Sequence, residues 1–150
     1  MKIGKLAISI ALCLSAGFIG SLFTQASVNT WYQGLSKPWF NPPSYVFGPV
    51  WTVLYILMGV SFYLVWMKKS KVSIVLFAIQ LALNVLWSAL FFGLRSLFLS
   101  SIEIVILWSM IMFMMIYFYK VSRTAAYLLI PYILWVSFAL VLNLSILFLN

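Results

Sequence analysis

Tryptophan is the side chain with the most chemistry to offer in this sequence. An indole stacks on flat π systems, donates one hydrogen bond and gives up an electron to a strong oxidant. Seven tryptophans accompany a single acid, Glu103, and no histidine. The missing types exclude a great deal. Without histidine there is no Ser-His-Asp triad, no imidazole base and no histidine-ligated metal or haem. One carboxylate forms neither an acid–base pair nor a multi-carboxylate metal site. One cysteine, Cys13, rules out an internal disulfide and a cysteine-rich metal centre. Walker and dinucleotide fingerprints are absent. No metal and no required cofactor are expected. What remains is aromatic stacking, a few amides and some cations at the rim, here Lys37 and Arg95, which suits a flat, hydrophobic, partly anionic ligand.

Helical spacing groups these side chains. Gln80, Asn84, Trp87 and Phe91 recur at i, i+4, i+7 and i+11 and share a helix face, as do Trp51 and Tyr55. Tyr132, Trp135, Ala139 and Asn143 form a third stripe, in which the small Ala139 leaves room for something flat. Pro131 is expected to bend that helix one turn earlier. Between the first two apolar runs lies WYQGLSKPWFNPPSYVFGPVW, Trp31 to Trp51, with four prolines that restrict both themselves and Lys37, Asn41 and Pro42 before them. This segment reads as a stiff aromatic lid over a pocket. Trp and Tyr also form interfacial belts, and intramembrane amides also bond neighbouring helices. The cluster as a whole points to a site more than any member does.

The elements that carry these stripes belong in a bilayer. The chain is 66% hydrophobic and 7% charged, too little charge to clothe a water-facing surface. Its net charge of +8 is scattered near the ends of apolar runs rather than gathered on a face, so nucleic acid is not an expected partner. Apolar runs at 6–26, 44–67, 72–93, 97–119 and 125–149 are each long enough to cross as a helix. The expected fold is therefore an all-α integral membrane bundle of five helices in one domain, with the lid at 27–43. The first run also reads as a signal peptide, with basic Met1–Lys5 and a passable cleavage site at Thr24-Gln25-Ala26. Its length and its Ala16-xxx-Gly20 and Gly17-xxx-Ser21 spacings favour a retained span. Lys2, Lys5, Lys68, Lys69, Lys71, Lys120 and Arg123 fall on one side, Lys37 and Arg95 on the other, which places the N-terminus in the cytoplasm. Trp51, Asn84, Trp87, Glu103 and Asn143 then lie in the same half of the bilayer, beneath the lid. Glu103 reads equally as paired with Arg95 or as a protonated structural residue.

These residues resemble the translocator protein family, also called the tryptophan-rich sensory or peripheral benzodiazepine receptor family. The resemblance runs from Phe18-Ile19-Gly20-Ser21 through Trp31-Tyr32, Lys37-Pro38, Pro42-Pro43 and Pro49-Val50-Trp51. It continues through Gln80-Leu81-Ala82-Leu83-Asn84, Trp87, Phe91-Phe92-Gly93, Pro131-Tyr132, Trp135, Phe138-Ala139 and Leu142-Asn143. It implies a five-helix bundle, commonly dimeric and here bacterial, that binds porphyrins such as protoporphyrin IX, sterols and benzodiazepine-site drugs. A transporter of tetrapyrroles or sterols is the alternative function. By position the ligand would meet Tyr32, Pro42, Phe47, Trp51, Tyr55, Asn84, Trp87, Phe91, Trp135 and Ala139. Some bacterial relatives promote light-dependent oxidative breakdown of porphyrin, which would make it a substrate, with Trp51 and Trp135 as photochemical residues. Two departures stand out. The tail Leu144–Asn150 has neither Tyr nor Lys or Arg, which argues against high-affinity cholesterol binding. The glycine pair that some relatives use for close helix contact falls on Val75 and Ile79, with Ala78-xxx-Ala82 nearby on another face.

Overall fold

A computed structural model describes residues 1–150. Five segments are long and apolar enough to cross a membrane, and there is no strand. Helix α1 spans Ile3–Ser27, and α2 spans Phe47–Met67 behind a 3-10 turn at Ser44–Val46. Helix α3, Lys71–Ser88, runs on into a π-helical turn at Ala89–Gly93, and α4 spans Leu97–Val121. The fifth crossing is made of two pieces, α5 at Arg123–Leu128 and α6 at Ile130–Leu149. Pro131 has no N–H to continue the ladder, so the expected bend becomes an interruption at Leu129 (φ −89°, ψ −5°).

The tight connections have local causes. Ser70, Ser96 and Ser122 cap the helices that follow them, their side-chain oxygens accepting from the N–H of Ser73, Leu99 and Ala125. At the end of α2 the Lys69 N–H donates to Trp66 O at 2.9 Å and the Ser70 N–H to Val65 O at 3.4 Å. This closure forces Lys69 to a φ of 57°.

Around the ring the order is α1, α2, the fifth crossing, α4 and α3, with α1 closing against α3. Short connections lead one to expect consecutive spans as neighbours. Helix α2 does touch α3, but it packs more extensively on α1 and α5. The α1–α2 seam depends on glycine. A Cβ on Gly59 would lie 2.6 Å from Ile10 Cα, and one on Gly17 would lie 2.6 Å from the Tyr55 ring.

The two ends of the bundle differ. Lys2 N donates to Tyr63 Oη at 3.0 Å, Lys5 Nζ sits over the Trp66 ring, and Ser61 Oγ donates to Ala125 O at 2.8 Å. These contacts gather the start of α1, the end of α2 and the start of α5 at the cation-rich end. The interior of that half is solid, filled by Val65, Phe77, Ile111, Met114, Phe118 and Leu129. The opposite half, under the lid, is hollow.

Candidate functional site

The hollow is a cavity of about 440 Å³, within the range of small-molecule sites. Tyr32, Phe47, Trp51, Tyr55, Asn84, Trp87, Phe91, Trp135 and Ala139 all line it, drawn from the lid, α2, α3 and α6. Pro42 does not. The ring of Pro42 spaces the chain between Asn41, which is tied to Tyr32, and the turn at Ser44. Helix α4 contributes no lining residue, so Glu103 lies outside the cavity wall.

Stacking and hydrogen bonds fix the walls. Trp51 stacks on Tyr55 with centroids 5.6 Å apart and an interplanar angle of 29°. Trp87 stacks on Phe91 at 5.0 Å, while Trp135 is held between Phe47 and Phe138 at 6.1 and 5.3 Å. Tyr55 Oη donates to Asn84 Oδ1 at 2.5 Å, and Asn84 Nδ2 donates to Tyr132 Oη at 2.9 Å. Tyr132 Oη in turn donates to Gln80 Oε1 at 2.8 Å. Trp87 Nε1 donates to Asn143 Oδ1 at 2.9 Å, and Asn143 Nδ2 to Ser101 Oγ at 2.8 Å. The amides that the sequence singled out are thus spent on neighbouring helices. The indole N–H groups of Trp51 and Trp135 are not: unlike those of Trp87 and Trp108, they meet no protein acceptor.

The lid closes one end. Tyr32 is 4% exposed, and its hydroxyl donates to Asn41 Oδ1 at 2.7 Å. Burial pushes the Tyr32 phenol up to about 12, with the Asn41 hydrogen bond acting against the shift. Trp31 meets the edge of Phe91, and Phe40 meets Phe138. Trp39 and Tyr45 point away, 95% and 79% exposed, as interfacial aromatics do.

Neither rim cation faces the cavity. Lys37 Nζ donates to the carbonyls of Tyr32, Leu35 and Gln33 at 2.8, 3.0 and 3.3 Å and lies over the Tyr32 ring. It is a staple of the loop. Arg95 Nε donates to Ser27 Oγ at 3.1 Å, whereas both Glu103 oxygens lack any partner. The Arg95–Glu103 pairing is therefore not formed.

Sequence reasoning missed the contribution of α1. Leu14, Gly17, Phe18, Ser21 and Thr24 complete the wall, and only the small-residue spacing hinted that this face was special. It also missed Ser27, whose hydroxyl donates to Phe92 O at 2.7 Å and so ties α1 to the π-helical turn. That turn inserts extra backbone and brings both Phe91 and Phe92 inward, as π-bulges at functional sites often do.

Comparison with known proteins gives a consistent picture. The sequence matches the TspO/MBR family over residues 9–149. It is 49% identical to the tryptophan-rich protein TspO of Chlorobaculum tepidum, over 99% of this chain and 98% of that protein. Identity to the tryptophan-rich protein TspO of Archaeoglobus fulgidus is 44%, over 100% and 99%. The translocator protein of Homo sapiens is 38% identical, over 91% of this chain and 85% of the human protein.

Proposed function

The chain belongs to the TspO/MBR family of multi-pass membrane proteins, and from that premise we propose that it is a porphyrin receptor. It binds protoporphyrin IX-like tetrapyrroles, and drugs of the benzodiazepine site, in the tryptophan-lined cavity. The observation that carries this reading is the convergence of Trp51, Trp87 and Trp135 on one hollow, two of them with indole N–H groups to spare. Aromatic faces stack on a flat macrocycle, and the free donors meet its carbonyl or carboxyl oxygens. At about 440 Å³ the cavity holds a drug-sized ligand, and its open side lets part of a larger ring protrude.

The same placement supports a slow photochemical activity. Trp51 and Trp135 line the space where an excited porphyrin would sit, and either indole can exchange an electron with it. Dioxygen is the oxidant and light supplies the energy. Protoporphyrin IX titrated into the purified chain should quench tryptophan fluorescence saturably at low micromolar concentration. Under light and air, loss of the porphyrin absorbance should outpace that of free porphyrin in detergent. The paired Trp51→Phe and Trp135→Phe substitutions should slow the loss while binding persists. Absence of saturable quenching would sink the receptor reading.

One observation favours transport as a second reading, the interruption of the fifth crossing at Leu129. It lies near the cation-rich end, away from the cavity, whereas transporter sites use helices broken at the midplane. Flux of porphyrin into sealed proteoliposomes, lost on Trp51→Ala, would be needed to carry it. We place the protein in the bacterial cell membrane, N-terminus in the cytoplasm, on the strength of the seven cations gathered at one end. A homodimer completes the proposal, to be checked by mass measurement in detergent.

A further inference from the structure

We propose that the cation-rich end of the bundle is a docking surface for the headgroups of anionic phospholipids, anchored at Arg123 and the tyrosines beside it. The inference stands apart from the cavity and holds whatever the cavity binds.

Uncompensated charge is the first ground. Seven of the nine cations lie at this end, and all of them but Lys5 are exposed. The one acid of the chain, Glu103, precedes Lys120 by 17 residues on α4, ~25 Å away along the helix. It is too remote to neutralise them. The side-chain contacts that these cations do make are with neutral rings. Lys5 Nζ lies 5.0 Å from the Trp66 centroid, and the Arg123 guanidinium lies 5.3 Å from that of Tyr119. At the lid end, by contrast, Lys37 donates to three carbonyls and Arg95 gives its Nε–H to Ser27. Like charges gathered on one end repel, and anions drawn from outside the chain relieve that repulsion.

Position decides which anions these are. The exposed cations sit at the start of α1, on the turn from α2 to α3, and at the junction of α4 with α5. Ends of membrane-spanning helices lie at headgroup depth. Tyr119 and Tyr127 mark that depth beside Arg123, 44% and 56% exposed with ring centroids 6.1 Å apart, as interfacial aromatics do. Cations spread over three separate helix ends can meet several headgroups at once. They do not form the single compact face that a nucleic acid grips. Arg123 suits a phosphodiester in particular. Its stacking on Tyr119 steadies the guanidinium plane, whose paired N–H groups match phosphate oxygens. The turn that carries Lys68, Lys69 and Lys71 is ordered as well, with Lys69 held at a φ of 57° and Ser70 capping α3.

The test reconstitutes the full chain in phosphatidylcholine vesicles carrying a trace of phosphatidylglycerol or phosphatidylcholine spin-labelled on the acyl chain. Electron paramagnetic resonance reads the fraction of each label immobilised on the protein, and the two fractions give a relative association constant. In about 20 mM salt phosphatidylglycerol should be favoured at least about threefold, falling toward parity in about 1 M salt as screening shortens to about 3 Å. Lys120→Gln with Arg123→Gln should at least about halve the preference, and so should Lys68→Gln, Lys69→Gln and Lys71→Gln together. Arg123→Lys, which keeps the charge and loses the planar fork, should fall between the parent and Arg123→Gln. The salt series uses the parent chain alone and so decides the matter even where a variant misfolds. Equal association of the two lipids in low salt overturns the proposal, as does a preference that survives both sets of substitutions. Saturable binding of inorganic phosphate or polyglutamate to the detergent-solubilised chain, without a lipid preference, overturns it in favour of a soluble anion.

Discussion

The indole Nε1 of Trp87 donates to Oδ1 of Asn143 at 2.9 Å, across 56 positions of sequence. Asn143 passes the connection on, its Nδ2 donating to Ser101 Oγ on α4 at 2.8 Å. One amide thus ties α3, α6 and α4 together at the inner wall of the cavity. Its oxygen holds Trp87 in the orientation that stacks on Phe91. Asn143 is a strut of the site rather than a group waiting for a ligand.

Replacing Asn143 by Leu should therefore act on stability and binding together. The indole N–H and the Ser101 hydroxyl each lose a partner. Single interhelical hydrogen bonds in membranes average about 0.6 kcal/mol and reach about 1.7, so a loss of about 1–2 kcal/mol is expected for two. Thermal unfolding in detergent reads the first effect. The Trp87 contribution to fluorescence, shifted as its stacking loosens, reads the second. An unaltered melting temperature would show that the strut carries no load.

Asn84 is the centre of a second network, and its loss should cost more than binding alone. Tyr55 donates to its oxygen, and its amide donates to Tyr132, which is 1% exposed. Asn84→Leu strands the Tyr55 hydroxyl, an unsatisfied donor worth about 1–3 kcal/mol when fully buried, while Tyr132 keeps its bond to Gln80 Oε1. A double-mutant cycle with Tyr55→Phe should give a coupling of about 0.5–1.5 kcal/mol, because removing the phenol first leaves less for Asn84 to satisfy. Additive single effects would mean that the hydrogen bond contributes nothing.

These two amides also show what the sequence could and could not reveal. Periodicity placed Asn84, Trp87 and Phe91 on one helix face, and all three line the cavity, Asn84 and Trp87 from α3 and Phe91 from the π-helical turn that follows it. It could not say whether an amide faces a ligand or a neighbouring helix, since that depends on which span lies opposite. The ring order, with α1 between α2 and α3, follows from close approaches at Gly17 and Gly59 that no hydropathy run displays. For the same reason α1 went unrecognised as a cavity wall. The π-helical turn at Ala89–Gly93 is invisible to a 3.6-residue pattern by construction. Lys37 and Arg95 were read by charge alone, yet Lys37 is held by three loop carbonyls and the Nε–H of Arg95 is bonded to Ser27. The five spans were legible because length and apolarity alone suffice for a helix in lipid.

The glycines separate packing from the site. Gly59→Ala would press a methyl against the backbone of Ile10 at 2.6 Å, and backbone in a packed helix cannot step aside. A loss of about 1–3 kcal/mol is expected, the usual range for overpacking. Gly17→Ala meets the Tyr55 ring instead, at 2.6 Å. That ring can tilt, but only by disturbing its stack on Trp51 and its bond to Asn84. Gly17→Ala should thus weaken porphyrin binding more than it lowers the melting temperature, and Gly59→Ala the reverse. Gly34→Ala, with nothing within 4 Å of the new methyl, is the neutral control.

The lid should loosen in alkali. The Tyr32 phenol titrates near 12 in the fold against 10.0 for the free side chain, because burial opposes the phenolate. A group whose value is raised on folding contributes fully below its unfolded value and loses that contribution as pH climbs toward the folded one. The contact of Tyr32 with Asn41 should therefore hold up to about pH 10 and weaken between about 10 and 12. Limited proteolysis of the 31–43 segment at pH 9 and pH 11.5 reads this directly. Tyr32→Phe, which removes the titrating group, should abolish the increment attributable to it. An identical increment in both proteins would place the sensitivity elsewhere.

Glu103 offers the sharpest contrast between structure and function. It is 4% exposed on α4, with neither carboxyl oxygen hydrogen bonded, and it does not line the cavity. Replacing an unpartnered buried carboxyl by an apolar side chain of similar length removes a desolvation cost and leaves nothing unsatisfied. Glu103→Leu should accordingly stabilise the bundle by about 1–3 kcal/mol, read as a higher melting temperature, with porphyrin affinity unchanged. Glu103→Gln keeps the polar burden and should show little gain. Ionisable groups inside a membrane more often serve function than stability, so the stabilised variant tests that rule in this chain. If Glu103→Leu folds and binds porphyrin normally but loses photochemical breakdown or flux, the carboxyl is retained for a proton or a conformational step remote from the ligand. If it melts earlier than the parent, an interaction of Glu103 favourable enough to outweigh its burial exists in the folded protein, and the unpartnered assignment is wrong.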